Sequence, residues 1–290
     1  MVFSDLQKTL KREISISGIG LFSGQKSCLN LLPAEKDTGI LFKVSNQGSN
    51  HVIKATVENV KNTLRSTALG SDQAMILTVE HLLAALYAFG ISNLIIELEG
   101  IEVPILDGSA KEFAELIEEA GIDDQKALRE VLKIEEPVYF TKNEVQLIAL
   151  PHDKPKISYL FHYPTFDPAS QFVSLTLEKA AFVKEIAPAR TFSFYEEIKP
   201  FLDQGLIKGG GLDSAILVKE NKVLNPEGLR FVDEFARHKM LDLIGDLSLS
   251  GRVILGHVIA LRSGHASNVA FVKKMLQNER KKNECFAVND

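Results

Sequence analysis

The amino-acid sequence predicts an α+β protein built from two similar domains. Three observations lead there. Each half opens with short strand-like segments and then changes to helical periodicity. The order strands, helix, strand, helix runs twice along the 290 residues, as two related α+β domains would explain. Between the halves, Ile122 to Lys126 carries two Asp and a Gln and reads as a linker, so the domains are expected at 1–126 and 127–290.

Taken in order, Glu13 to Gly20 alternates around Ile14 and Ile16 and is punctuated by Gly18 and Gly20. Cys28 to Leu32, Gly39 to Ser45 and Val52 to Val60 follow as strands, with turn residues between them. Thr78 to Phe89 is rich in Leu and Ala and predicts a helix, with Thr78 as its N-cap. Leu94 to Leu98 and Val103 to Leu106 predict short strands, and Asp107-Gly108 a turn. Ser109 to Glu112 has capping-box spacing ahead of an apolar face of Phe113, Leu116 and Ile117, which predicts a helix ending near Gly121.

The second half starts over. Strands are expected at Val131 to Phe140, Glu144 to Leu150, Ile157 to Tyr163 and Phe172 to Leu177. Helices follow near Glu178 to Ile186 and Ser193 to Leu202, then a loop at Gly209 to Gly211 and a strand at Ala215 to Val218. Leu229 to Ser250 predicts a long helix, His257 to Arg262 a strand, and Ala266 to Arg280 a terminal helix.

Composition bounds the function. A hydrophobic content of 45% is enough to bury a core. Lys plus Arg is 33 against 38 for Asp plus Glu, a net charge of -5, which argues against a nonspecific nucleic-acid binder. Met1 to Arg12 lacks the pattern of a secretory signal. The apolar runs, such as Asn93 to Leu98, fall short of the roughly 20 residues a membrane-spanning helix needs. The two cysteines, Cys28 and Cys285, form neither a disulfide framework nor a zinc knuckle. A soluble chain without a transmembrane segment, working as a monomer in the reducing cytoplasm, is therefore expected. Any metal would be held by His and carboxylate.

The chemistry-bearing residues sit in four fragments. His238, Asp242 and Asp246 are spaced four and four, which aligns them on one edge of the long helix. Met240, Leu241, Leu243 and Ile244 between them imply that this helix is buried, and buried charges need partners or a metal. A His-x-x-x-Asp taken alone is more often a surface ion pair. Glu80-His81 lies in the first turn of a predicted helix, where a carboxylate beside a metal ligand can reach a water but also simply suits the helix dipole. Ser263-Gly264-His265 ends an apolar strand, and a loop His of this kind is either an acid or merely solvated. Ala189 to Phe194 sets aromatics beside hydroxyls, with core packing as its default role. His162, after Phe161, is placed near a ligand; His51, His152 and His257 are given no role.

Together these fragments resemble the UDP-3-O-acyl-N-acetylglucosamine deacetylases. The resemblance is carried by Ser17 to Gly24, Thr78 to Leu82, Pro104 to Ser109, Ala189 to Phe192, Leu229 to Asp242, Ile244 to Asp246 and Ser263 to His265, in family order along nearly the whole chain. It implies two β-α-α-β domains packed together with the site between them. It implies zinc, or iron(II), on His81, His238 and Asp242, with Glu80 as base, His265 as acid, Asp246 holding His265 charged, and Thr191 at the oxyanion. Lys239, Phe161, Phe192, Phe194, Gly210 and Arg262 would line the site for an acylated UDP-sugar, and a segment from about Pro188 to Leu224 would channel its acyl chain. The implied reaction is release of acetate in lipid A biosynthesis. The alternative is a zinc hydrolase of another N-acylated sugar. Phe22 stands where the family usually has His, and Arg262 where Lys is frequent, which alters the geometry of a phosphate contact.

Overall fold

The computed structural model describes residues 6–46, 49–166 and 168–287. Met1 to Asp5 of the polar N-terminal stretch, and the side chain of Cys285, lie outside the described residues.

Two five-stranded sheets carry the two halves. The first contains β1 (Ile14–Ile19), β2 (Lys26–Pro33), β3 (Ile40–Asn46), β4 (Ser49–Lys54) and β5 (Leu94–Glu99), in the order β1-β2-β5-β3-β4. The second contains β6 (Val138–Lys142), β7 (Val145–Leu150), β8 (Lys156–His162), β9 (Ser170–Thr176) and β10 (His257–Leu261), in the order β6-β7-β10-β8-β9. In both, two antiparallel hairpins flank a late strand that is parallel to one neighbour and antiparallel to the other. The sheets are thus two copies of one topology, although no residue-level repeat betrays it.

The longer helices are α1 (Glu80–Phe89), α2 (Lys111–Ala120), α3 (Tyr195–Asp203), α4 (Glu234–Ser248) and α5 (His265–Ala287), and a short helical turn at Lys179–Ala181 runs into a π-helical one at Phe182–Ile186. α1 stops at Gly90, whose φ of 77° lets its N–H turn back onto the carbonyls of Leu86 and Tyr87. α4 and α5 pack on the second sheet, while Leu29, Leu31, Phe42 and Ile96 of the first share a continuous core with Phe113 and Ile117 of α2. α1 and α4 cross at the centre, each buried on almost every side.

Gly245 explains how closely they cross. A Cβ at this position would sit 2.2 Å from the Glu80 carbonyl oxygen, so only glycine fits. Gly245→Ala must push α1 off α4, and it is expected to cost about 1–3 kcal/mol in denaturant unfolding. Unchanged stability would contradict the close approach.

Several sequence expectations are corrected. Ile122 to Lys126 is no linker: Ile122–Leu128 is a strand that pairs antiparallel with Leu6–Leu10. Thr78 does not cap α1. It has φ 59°, and its hydroxyl donates to Glu102 Oε1 at 2.9 Å instead. Ser109 is not the N-cap of α2, which starts after Ala110 without a side-chain cap. Val103 to Leu106 forms no strand, because Leu106 takes a φ of 55° to enter the Asp107-Gly108 turn. Val131 to Phe140 is broken into Val131–Lys133, which pairs with Val253–Leu255, and β6. Ser193 and Phe194 belong to a strand, so α3 begins at Tyr195. α4 begins at Glu234 rather than Leu229, since Arg230 ahead of it reaches across to Asp107 at 2.8 Å. Two small sheets decorate the halves: Val60–Asn62, Ala68–Gly70 and Met75–Ile76 in the first, and Phe192–Phe194, Ile216–Lys219 and Lys222–Val223 in the second.

Candidate active site and metal centre

Where α1 and α4 cross, His81, His238 and Asp242 meet. One ligand atom from each lies within 4.8 Å of the others, and all three residues are buried. The two Nε2 atoms stand 3.6 Å and 3.3 Å from Asp242 Oδ1. The imidazoles are edge to face, with centroids 5.0 Å apart. His238 Nδ1 donates to the Ala189 carbonyl at 3.0 Å, which fixes the tautomer and leaves Nε2 as a free lone pair. Burial pulls the His238 pKa down to about 3 despite the opposing Asp242, so the ring is neutral, as a metal ligand must be.

Asp242 Oδ1 is buried and has no hydrogen-bond partner among the described residues, while Oδ2 accepts from Lys239 Nζ at 2.7 Å. Burial alone would raise the Asp242 pKa. Lys239, whose ammonium bonds to Oδ2, outweighs it and holds the carboxyl well below the usual range. An ionised oxygen with no hydrogen-bond donor, aimed between two imidazole nitrogens, is what a divalent cation would complete. The donor set therefore fits the metal implied by the sequence.

Two further groups flank this centre. Glu80 Oε2 accepts the Thr67 N–H at 3.0 Å, and burial raises the Glu80 pKa above 4.5. His265 Nδ1 donates to Asp246 Oδ2 at 3.0 Å; its Nε2 lies 3.8 Å from Glu80 Oε1 and 3.9 Å from Asp242 Oδ2. Burial disfavours charge on His265, yet Asp246, with Glu80 and Asp242 beyond it, raises its pKa to about 9. Asp246 itself is saturated by Thr67 Oγ1 at 2.6 Å and Asn268 Nδ2 at 2.9 Å.

These groups form the polar end of a cavity of about 880 Å³. Glu80, His81, Thr191, His238, Lys239, Asp242 and His265 line it, as do Phe161, Phe192, Phe194, Gly210 and Arg262. Asp246 lies behind His265, outside the lining. Phe192 stands edge-on to Phe161 at 5.4 Å and to His238 at 6.1 Å, so the aromatic wall begins beside the candidate metal trio. Leu202, Ile207, Leu212 and Ile216 extend the apolar wall through the expected 188–224 segment. Arg262 has φ 56° and pairs with Glu144 at 2.9 Å. Phe22 lines the cavity, and its N–H donates to Glu102 Oε1 at 3.0 Å.

One expectation fails here. His162 is not at the cavity. Strand alternation turns it away from the face of Phe161, and Nδ1 bonds to Ser170 Oγ at 2.8 Å. Four contributors escaped sequence reasoning: Thr67, Asn268, Glu102 and the Ala189 carbonyl. Asn268 lies three residues past His265, one turn along α5, and that spacing was a usable signal. Nothing in the local pattern marks the other three.

A family model described as UDP-3-O-acyl N-acetylglycosamine deacetylase matches residues 7–277. The chain is 46% identical over 273 residues to the UDP-3-O-acyl-N-acetylglucosamine deacetylase of Chlamydia pneumoniae, covering 93% of this chain and 97% of the relative. The enzyme of the same name from Chlamydia trachomatis serovar L2 is 45% identical over 272 residues, covering 93% and 95%. That of Chlamydia felis is 44% identical over 272 residues, covering 93% and 97%.

Proposed function

The chain belongs to the UDP-3-O-acyl-N-acetylglucosamine deacetylase family, and from that premise we propose how its own residues perform the reaction. It is a deacetylase of lipid A biosynthesis, removing the N-acetyl group of an acylated UDP-glucosamine as acetate. The two cysteines in 290 residues suit the cytoplasm as its place of work. Among the described residues no helix is long and apolar enough to cross a membrane.

His81, His238 and Asp242 would hold zinc or iron(II), which when bound would polarise the acetamide carbonyl and acidify a water. Glu80 takes the proton of the attacking water. Its buried carboxylate, with a raised pKa, accepts a proton more readily than an exposed one. Thr191 would donate to the oxyanion as the carbonyl carbon becomes tetrahedral. His265 gives its proton to the amine nitrogen as the C–N bond breaks, and the acetyl carbon leaves as acetate. Asp246 keeps that imidazole charged until then. Lys239 and Arg262 supply positive charge for the nucleotide phosphates.

The observation that carries this reading is the meeting, in one cavity, of His81, His238 and Asp242 with the buried Glu80 and His265. The aromatic and aliphatic wall would take the 3-O-acyl chain. Acetate release should therefore be compared on UDP-sugars with no acyl chain, a short one and a long one. KM is expected to fall with length, by at most about four-fold per added CH₂, the equivalent of about 0.8 kcal/mol. Equal turnover of all three would instead favour an amidohydrolase of N-acylated sugars that ignores the chain.

A further inference from the structure

One fully buried residue touches both proton-transfer arms of this site without belonging to either. Thr67 precedes the strand Ala68–Gly70, the middle strand of the small sheet in the first half. Three of its groups reach three places. Its N–H donates to Glu80 Oε2 at 3.0 Å. Its carbonyl accepts the Val79 N–H at 3.2 Å, at the entry to α1. Its hydroxyl donates to Asp246 Oδ1 at 2.6 Å, on α4.

A carboxylate turns freely about its last torsion, which has broad wells. With Oδ1 pinned by Thr67, Asp246 Oδ2 has one orientation left, and there it accepts from His265 Nδ1 and Asn268 Nδ2. The same residue pins one oxygen of Glu80, leaving Oε1 on the side of His265 Nε2. Base and acid come from opposite halves of the chain, and a displacement of about 1 Å between such groups is enough to slow a reaction by about 10²-fold. We propose that Thr67 is a positioning residue for deacetylation, its amide and hydroxyl holding the base arm and the acid arm in register. This rests on the acid and base roles given above. It also gives the small sheet of the first half a purpose, the delivery of Thr67 to the helix crossing.

The test uses the metal-loaded full chain. Thr67→Val removes the hydroxyl and keeps the shape, Thr67→Ser keeps the hydroxyl, and Thr67→Ala is a second hydroxyl-free variant. The hydroxyl-free variants are expected to bind metal as the parent does, with KM within about two-fold and kcat lowered about 10–100-fold, while Thr67→Ser stays within about three-fold of the parent. Independently of turnover, the proton NMR resonance of His265 Nδ1–H should move in the hydroxyl-free variants and hold in Thr67→Ser. Parent-like kcat without the hydroxyl, an equal loss in Thr67→Ser, or an unmoved resonance would overturn the proposal. So would failure of both hydroxyl-free variants to fold, which would make Thr67 a purely structural residue. If the parent itself released no acetate, the deacetylase reading would fall, and the resonance would still decide the role of Thr67.

Discussion

His265→Ala is expected to lose about 10²–10⁴-fold in turnover, the usual contribution of a general acid. Metal content and KM should be unchanged, because His265 is outside the candidate metal trio and its proposed role comes as the amine departs. The pH profile is the sharper readout. In the metal-free protein the His265 pKa is raised from 6.5 to about 9. A bound dication repels the imidazolium and lowers that value, so activity should fall on the alkaline side at or below about pH 9 as His265 loses its proton. On the acid side, activity should rise as Glu80 loses a proton, at a pKa that burial raises above 4.5 and the dication opposes. In His265→Ala the alkaline limb should vanish and the acid limb stay. A variant that keeps both limbs would remove His265 from the reaction.

Asp242→Ala should abolish metal binding and activity together, with an instructive signature in stability. Two changes oppose each other in the metal-free protein. The pair with Lys239 is lost, but that lysine side chain keeps 21% exposure and can recruit water. The orphaned Oδ1 also disappears, and with it the cost of a buried charge lacking a partner on that side. Metal-free parent and variant are therefore expected to differ by only about 1–2 kcal/mol. Added metal should stabilise the parent by about 4 kcal/mol at a thousand times its Kd and leave the variant unmoved. A metal-induced stabilisation that survives in Asp242→Ala would mean that the cation sits elsewhere.

How much of this was legible in the sequence depends on whether the signal was local. His238, Asp242 and Asp246 were readable as one edge because a helix repeats every 3.6 residues and the intervening residues are apolar. The doubled fold was readable as an order of elements, although the identical strand order of the two sheets was not. Ile122 to Lys126 read as a linker because Asp123, Asp124 and Lys126 face solvent and the strand they belong to pairs with a single neighbour, so little apolar alternation marks it. Thr78 read as a cap because its chemistry fits one, yet tertiary contact with Glu102 draws it into a left-handed conformation. Thr67 gave no signal at all. Its role depends on a crossing of helices more than a hundred residues apart in the chain, set by the absence of one side chain at Gly245.

Everything proposed for the reaction depends on a cation held between α1 and α4. The direct measurement is acetate release from the acylated UDP-sugar by protein stripped with a chelator and then restored with zinc or iron(II), with bound metal counted in the same samples. Stripped protein should be inactive, and activity should return in proportion to metal bound, up to one ion per chain. Full turnover by metal-free protein, or one bound ion per chain without any acetate released, would contradict the account.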